Sequence, residues 1–110
     1  MEPEISIITP AFNEEESLPL FYEKVSRQLN EIGINWEIII VDDGSRDQTA
    51  AVAKKLHQRD SRVKVIVFSR NFGTQVSISA GLDASAGRAV VVMDADLQHP
   101  PELLTEMIRL

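Results

Sequence analysis

Two aspartates separated by one alanine, Asp94 and Asp96, directly follow the apolar run of residues 89–93. In an extended chain the side chains of residues i and i+2 point to the same side, so both carboxylates would face one small volume. Two negative charges this close repel each other unless a positive group lies between them. A divalent cation removes the repulsion, and oxygen ligands favour Mg²⁺ or Mn²⁺, which commonly bridge to substrate phosphates. The motif therefore predicts a metal site that holds a phosphorylated ligand.

Short apolar runs rich in β-branched residues predict the strands that would position these acids. They lie at residues 5–9, 36–41, 63–68 and 89–93. Pro10 closes the first run. The last three runs are almost continuously apolar, which is expected for strands covered on both faces of a sheet.

Helical patterns alternate with these strands. Apolar residues recur at helical spacing between a predicted N-cap at Ser17 and a predicted stop at Gly33. Three further helices are predicted at residues 47–59, 73–87 and 100–110, the first of them with Asp47 as its N-cap. The order βαβαβαβα predicts an α/β fold, a Rossmann-like doubly wound, mostly parallel sheet with right-handed crossovers and helices on both faces.

Polar groups follow all four predicted strands, while the strands themselves carry almost none. In doubly wound folds ligands bind outside the carboxyl ends of the strands, so these groups are candidates for one site. They are residues 10–14, 42–45, 69–71 and 94–98.

Three of these segments also have a purely structural interpretation. Asp42–Ser45 could be only a turn, and Asn13 with the acids after it could be only a helix entry. Arg70 and Asn71 could pair with a carboxylate and cap a helix. His99 is interpreted as a solvated loop residue.

Composition bounds the class of protein. A chain of 110 residues forms one domain at most, and its net charge of −6 argues against a nucleic-acid binder. It has no cysteine, which excludes disulfides and thiolate metal sites. No apolar run reaches the roughly 18 residues that span a bilayer, and the N-terminus is unlike a secretory signal. We therefore expect a cytoplasmic location.

Four segments resemble the inverting glycosyltransferases of family 2, which have the GT-A fold, and most of all their polyprenyl-phosphate branch, the dolichyl- or undecaprenyl-phosphate sugar transferases. The segments read ITPAFNEEESLPLF, WEIIIVDDGSRDQT, SRNFGTQVSISAGLDASAG and VVMDADLQHPPELL. They cover essentially the whole chain. Phe12 stands where a tyrosine is common, and His99 stands where an acidic or amide residue is usual.

The resemblance assigns roles to individual residues. It implies a nucleotide pocket lined by Pro10, Phe12 and Glu14, with Val41, Asp42 and Asp43 on the base and ribose and Ala95 against the ribose. It also implies that Asp94 and Asp96 are the metal-binding D-x-D motif, with Gln98 as a further ligand. It places the catalytic base outside this chain.

The implied activity is transfer of a sugar, with inversion, from a nucleoside-diphosphate sugar to a lipid phosphate, with Mn²⁺ or Mg²⁺ bound. Family members are longer, so residues 1–110 are interpreted as the nucleotide-sugar-binding N-terminal part of a GT-A domain that is inactive alone. Membrane association, at the cytoplasmic face, would come only through the missing C-terminal part. The alternatives are a nucleotide-sugar-binding module without catalysis and a receiver-like phosphoacceptor domain. In the receiver-like case, however, the acidic pair would follow strand 1 and a lysine would end a later strand.

Overall fold

The computed structural model describes residues 2–96, so Gln98, His99 and the predicted helix at 100–110 lie outside the described part. The elements are β1 (Ile5–Ala11), α1 (Ser17–Ile32), β2 (Trp36–Asp42), α2 (Thr49–Arg59), β3 (Val63–Val67), α3 (Thr74–Ala84) and β4 (Ala89–Val92). Within residues 2–96, no helix combines the length and the apolar character that crossing a bilayer requires.

The four strands form one parallel sheet in the order β3-β2-β1-β4. Successive side chains of a strand point to opposite faces. Ile7 of β1 belongs to the core cluster that includes Phe21 of α1 and Leu56 of α2, whereas a Cβ added at Gly81 of α3 would lie 2.5 Å from Ile8. Helices α1 and α2 therefore cover one face and α3 the other, which confirms the predicted doubly wound fold.

Coverage differs between the central and the outer strands. Every residue of β2 is buried, but Val67 of β3 and Val92 of β4 are 45% and 42% exposed. The expectation that the third and fourth strands are covered on both faces is thus wrong within the described residues. The reason is sheet order, because β3 and β4 are the outer strands of this part of the sheet.

Strand β1 continues through Pro10, where the sequence predicted its end. The Asp43 amide donates to the Ala11 carbonyl, so the backbone hydrogen-bonding groups of Ala11 point toward β2. Those of the preceding residue, Pro10, therefore point toward β4. The β1–β4 ladder already ends at the pair Ile8–Val92. The missing N–H of Pro10 therefore costs no ladder hydrogen bond, and the proline can lie in a central strand at the sheet edge where ligands bind.

Two helix starts differ from the prediction. Ser17 is the first residue of α1 and not its N-cap, since Glu16 occupies that position without a side-chain capping bond. Helix α2 begins at Thr49, with Gln48 at the cap position. The Asp47 carboxylate nevertheless accepts a hydrogen bond of 2.9 Å from the Thr49 amide, so Asp47 caps the helix from one residue earlier. Gly33 ends α1 as predicted, in a left-handed conformation with φ 80°.

Helix α3 ends at Ala84, three residues before the predicted stop at Gly87. The chain leaves the helix to contact a buried carboxylate. The Ala86 amide donates to Glu37 at 2.7 Å, and the Gly87 amide donates to the Ser6 hydroxyl at 2.8 Å. A Cβ at Gly87 would lie 2.6 Å from the Ser6 amide nitrogen, so only glycine permits this approach.

Glu37 connects three strands. It is 2% exposed, accepts a hydrogen bond from the Ser6 hydroxyl of β1 at 2.5 Å, and pairs with the Lys64 ammonium of β3 at 2.6 Å. Burial by itself raises the pKa of Glu37, but the hydrogen bonds from Lys64, Ser6 and Ala86 outweigh it, so the pKa lies below its ordinary value of 4.5. The ionised form is therefore the one that the fold stabilises.

We expect Glu37→Gln to lower the free energy of unfolding at pH 7 by about 1 kcal/mol, because the ion pair is lost and one buried hydrogen bond is weakened. A depressed carboxylate pKa contributes stability above the unfolded pKa and loses it as pH falls through the folded pKa. The difference between Glu37→Gln and the parent should therefore shrink between pH 6 and pH 3. Urea unfolding at both pH values measures this, with the exposed Glu31→Gln as control. A constant difference across that range would contradict the ionised state of Glu37.

Candidate functional site

A cleft of about 190 Å³ opens at the carboxyl edge of the sheet. It is lined by Pro10, Ala11, Phe12, Glu14, Asp43, Thr74, Asp94, Ala95 and Asp96. These residues belong to the ends of β1, β2 and β4 and to the first turn of α3. We call it the acidic cleft, because four of its lining side chains are carboxylic acids.

The acidic cleft brings together most of the predicted site residues. Of the predicted nucleotide contacts, Pro10, Phe12, Glu14, Asp43 and Ala95 line it. The predicted metal ligands Asp94 and Asp96 line it as well, and Gln98 lies outside the described residues. Contact of any of them with a ligand stays a prediction.

Two predicted residues lie apart from this cleft. Val41 is completely buried in β2. Asp42 is 1% exposed, and its carboxylate accepts a hydrogen bond of 3.0 Å from the Ser45 amide. The structure therefore gives Asp42 the turn-forming role that the sequence left open for this segment, and neither residue is among those that line the cleft.

Asp43 holds the loop that precedes α3. Its carboxylate accepts hydrogen bonds from the Phe72 amide at 2.7 Å, the Gly73 amide at 3.0 Å and the Asn71 side-chain amide at 3.0 Å. It is 5% exposed. The loop also packs closely against Gly44, the residue that follows Asp43. A Cβ at Gly44 would lie 2.3 Å from the Arg70 carbonyl carbon. Asn71 thus pairs with a carboxylate, as its purely structural interpretation predicted.

The β1–α1 loop is locked to the β2–α2 loop. Asn13 adopts a left-handed conformation with φ 55°. Its amide donates to the Ser45 hydroxyl at 2.8 Å, and its side-chain oxygen accepts from the Arg46 amide at 2.9 Å. The Glu14 amide donates to the Thr49 hydroxyl at 2.8 Å. These bonds fix Phe12 and Glu14 beside the acidic cleft.

A second cleft of about 530 Å³, the polar cleft, adjoins the first. It is lined by Phe12, Asn13, Gly44, Ser45, Arg46, Ser69, Arg70 and Asn71. The Phe12 ring, 43% exposed, lines both clefts. The Arg70 guanidinium lies 4.7 Å from the centre of the Phe72 ring, a contact that helps to orient it.

Sequence reasoning missed Thr74 of the acidic cleft and Arg46 of the polar cleft. The signal for Thr74 was available in the topology. A helix that follows a parallel strand begins at the carboxyl edge of the sheet, so the first residue of α3 must lie near the other strand ends. Arg46 has no comparable sequence signal, because its position depends on the bond between its amide and Asn13.

The donor set at the acidic cleft fits a cation bound together with a ligand. Asp94 and Asp96 are exposed, and Ala95 between them is 2% exposed. The chain turns at Ala95, so both carboxylates line the cleft through a turn and not through the extended geometry that the sequence suggested. Within residues 2–96 no three acids or histidines lie close enough to hold a metal alone. Mg²⁺ is commonly bound by one or two carboxylates, with substrate phosphates and waters as the remaining ligands.

The chain belongs to the glycosyl transferase family 2. The family's sequence profile matches residues 6–110, which is nearly the whole chain. The fold agrees, because the four-stranded parallel sheet with its helices is the Rossmann-like arrangement of GT-A glycosyltransferases.

Curated relatives cover the same residues. The chain is 45% identical over 103 residues to the uncharacterized glycosyltransferase YkcC of Bacillus subtilis. The matched region covers 94% of this chain and 32% of the relative. It is 39% identical over 105 residues to the undecaprenyl-phosphate 4-deoxy-4-formamido-L-arabinose transferase of Pseudomonas aeruginosa, covering 94% of this chain and 31% of the relative. The chain therefore spans about a third of the length of these relatives.

A solved structure shares the fold. The mannosyltransferase PcManGT from Pyrobaculum calidifontis, in complex with GDP-Man and Mn²⁺, superposes with a TM-score of 0.82 at 19% identity. The match covers 99% of this chain and 32% of the mannosyltransferase.

Proposed function

We propose that residues 1–110 are the nucleotide-sugar-binding part of an inverting, metal-dependent glycosyltransferase that transfers a sugar to a polyprenyl phosphate. The observation that carries the proposal is the acidic cleft. It combines an apolar wall, Pro10 and Phe12, with the carboxylates of Asp94 and Asp96 at the edge of the sheet where doubly wound folds bind ligands.

The donor would be a nucleoside-diphosphate sugar. The mannosyltransferase with the same fold binds GDP-Man and Mn²⁺, which supports a donor of this class here. In our proposal Phe12 supplies an apolar wall for the nucleotide, because its ring is exposed where the two clefts meet. Glu14 and Ala95 also line the acidic cleft.

Asp94 and Asp96, with Gln98 as a further ligand, would hold Mn²⁺ or Mg²⁺. When bound, the cation offsets the negative charge that accumulates on the departing diphosphate. The described lining of the acidic cleft contains four carboxylic acids and neither lysine nor arginine, so a diphosphate without a cation would meet only negative charge there. A cation and a diphosphate would therefore bind together more strongly than either alone.

The acceptor would be a lipid phosphate. The transferase of Pseudomonas aeruginosa carries undecaprenyl phosphate in its name, which supports an acceptor of this class. A phosphate acceptor is already ionised at neutral pH, so it needs little assistance from a general base. The catalytic base, if one is used, is expected outside residues 1–110.

A metal-dependent shift in melting temperature tests the donor site. A ligand that binds only the folded state stabilises it by mass action, by about 1 kcal/mol at five times its Kd. For a chain of this size that amounts to several degrees. We expect UDP or GDP with Mn²⁺ to raise the melting temperature by this amount, and nucleotide or Mn²⁺ alone to raise it less. An equal shift in the presence of EDTA would remove the metal from the proposal.

A further inference from the structure

Charge is strongly segregated along this acidic chain. Residues 46–70 contain seven lysines and arginines against two aspartates, a net charge of +5. The rest of the chain contains four lysines and arginines against fifteen acids, a net charge of −11. The overall charge of −6 therefore conceals one basic segment, which forms α2, β3 and the loops at their ends.

The basic side chains of this segment are exposed on one flank of the sheet. Lys54, Lys55 and Arg59 are exposed on α2, whose opposite side is buried through Ala53 and Leu56. Two more arginines lie at the carboxyl edge, where they line the polar cleft. We call the five residues the basic flank: Arg46, Lys54, Lys55, Arg59 and Arg70.

The basic flank is not compensated by ion pairs. In the described part of the chain, ion pairs are made by Arg27, Arg62 and Lys64, and none by a residue of the flank. Five cations are therefore directed to solvent on a protein whose remaining surface is acidic. Such an arrangement favours an extended anionic partner.

A second copy of the chain does not fit this surface. Strand β3 is the outer strand beside α2, and the groove of about 390 Å³ along its edge is lined by Lys54, His57, Lys64, Val65 and Val67. Pairing of two such edges would bring the lysines of both copies together, and like charges directly opposite each other destabilise strand pairs. In addition, a ring nitrogen of His57 lies 2.6 Å from the Val63 carbonyl. This contact occupies one of the backbone groups that the strand edge would offer to a second strand.

Whereas the sequence placed membrane association only outside this chain, we propose that the basic flank docks the protein on an anionic lipid surface. The inference rests on the proposed function, because a polyprenyl-phosphate acceptor is held in a membrane. The protein carries a net charge of −6, so it can bind an anionic surface only if its acidic residues are screened from that surface by salt. The molecule extends 36 × 26 × 25 Å, while the Debye length is about 8 Å at physiological ionic strength, so acids on the far side hardly feel the surface. In this orientation Arg46 and Arg70, which line the polar cleft, bring that cleft close to the lipid headgroups.

Vesicle co-sedimentation of the 110-residue chain tests the docking surface. Vesicles of phosphatidylglycerol and phosphatidylcholine are compared with vesicles of phosphatidylcholine alone, at low and at physiological salt, without nucleotide or polyprenyl phosphate. We expect binding only to the anionic vesicles. The double variant Lys54→Gln/Lys55→Gln should weaken it at least threefold, and salt should weaken it further. The matched control Lys24→Gln/Arg27→Gln removes the same charge from α1 and should change binding less than twofold.

Three results would overturn the proposal: no binding to the anionic vesicles, equal losses in the two double variants, or tighter binding to a single-stranded oligonucleotide than to the vesicles. Nucleotide binding with Mn²⁺ is measured on the same variants and should not change, since Lys54 and Lys55 line neither the acidic nor the polar cleft. Failure of vesicle binding with intact nucleotide binding therefore rejects only the docking surface. Failure of nucleotide binding in the parent rejects the proposed function.

Discussion

Asp96→Asn is expected to weaken Mn²⁺-dependent nucleotide binding at least tenfold while leaving the metal-free protein as stable as the parent or slightly more stable. Asparagine keeps the shape of the side chain but removes an anionic ligand of a hard cation. The carboxylate is exposed, so its repulsion from Asp94 and Asp43 is screened by solvent. The change in unfolding free energy without metal should therefore stay within about 0.5 kcal/mol.

Melting curves and calorimetric titrations of parent and variant, each with and without Mn²⁺ and nucleotide, measure both effects. Asp83→Asn is the matched control, because it removes the same charge from an exposed position on α3. An Asp96→Asn protein that is clearly destabilised but still binds nucleotide with Mn²⁺ would identify Asp96 as a turn former and not as a metal ligand.

Asp43→Asn is expected to lower the free energy of unfolding by about 2–3 kcal/mol and to weaken nucleotide binding in parallel. The Asp43 carboxylate accepts three hydrogen bonds from the Asn71–Gly73 segment. Hydrogen bonds to a buried charged group are worth about 1.5–3 kcal/mol, and the amide of asparagine would point a donor at another donor. The loop before α3 would shift, and Thr74 would shift with it.

Asp42→Asn supplies the comparison for Asp43→Asn. It makes the same chemical change at the neighbouring residue, which is also buried. Among the bonds described, the Asp42 carboxylate accepts a hydrogen bond only from the Ser45 amide. We expect it to cost about 1 kcal/mol or less. A double-mutant cycle with Asn71→Ala then distinguishes the roles of Asp43. Coupling in stability identifies a positioning residue, whereas loss of binding without loss of stability would mean that Asp43 acts by contacting the ligand.

The architecture of the site could be predicted from the sequence because the strands are recognisable from their residue pattern. Buried β-branched runs separated by helical patterns allow few arrangements other than a parallel sheet with right-handed crossovers. In such a sheet all carboxyl ends meet at one edge. For that reason the sequence alone predicts that Phe12 lies in one site with Asp94 and Asp96, which are far from it in the chain.

The ends of elements could not be predicted in the same way. The pattern of α3 continues to Gly87, yet the helix stops at Ala84 because the next amides find better acceptors in Ser6 and Glu37. Both acceptors are far away in sequence, so no local propensity contains this competition. Coverage of β3 and β4 likewise depends on sheet order, which the apolar character of a strand does not specify.

The adjacent acids Asp42 and Asp43 separate what the sequence by itself determined from what only the tertiary structure decided. Their position after a buried strand placed the pair at the ligand-binding edge of the sheet. Nothing in the pair itself indicated that Asp42 would be enclosed and bonded to Ser45, while Asp43 would line the acidic cleft and hold the loop before α3. Successive side chains of an extended chain point in opposite directions, and the partners on each side come from segments that only folding brings together.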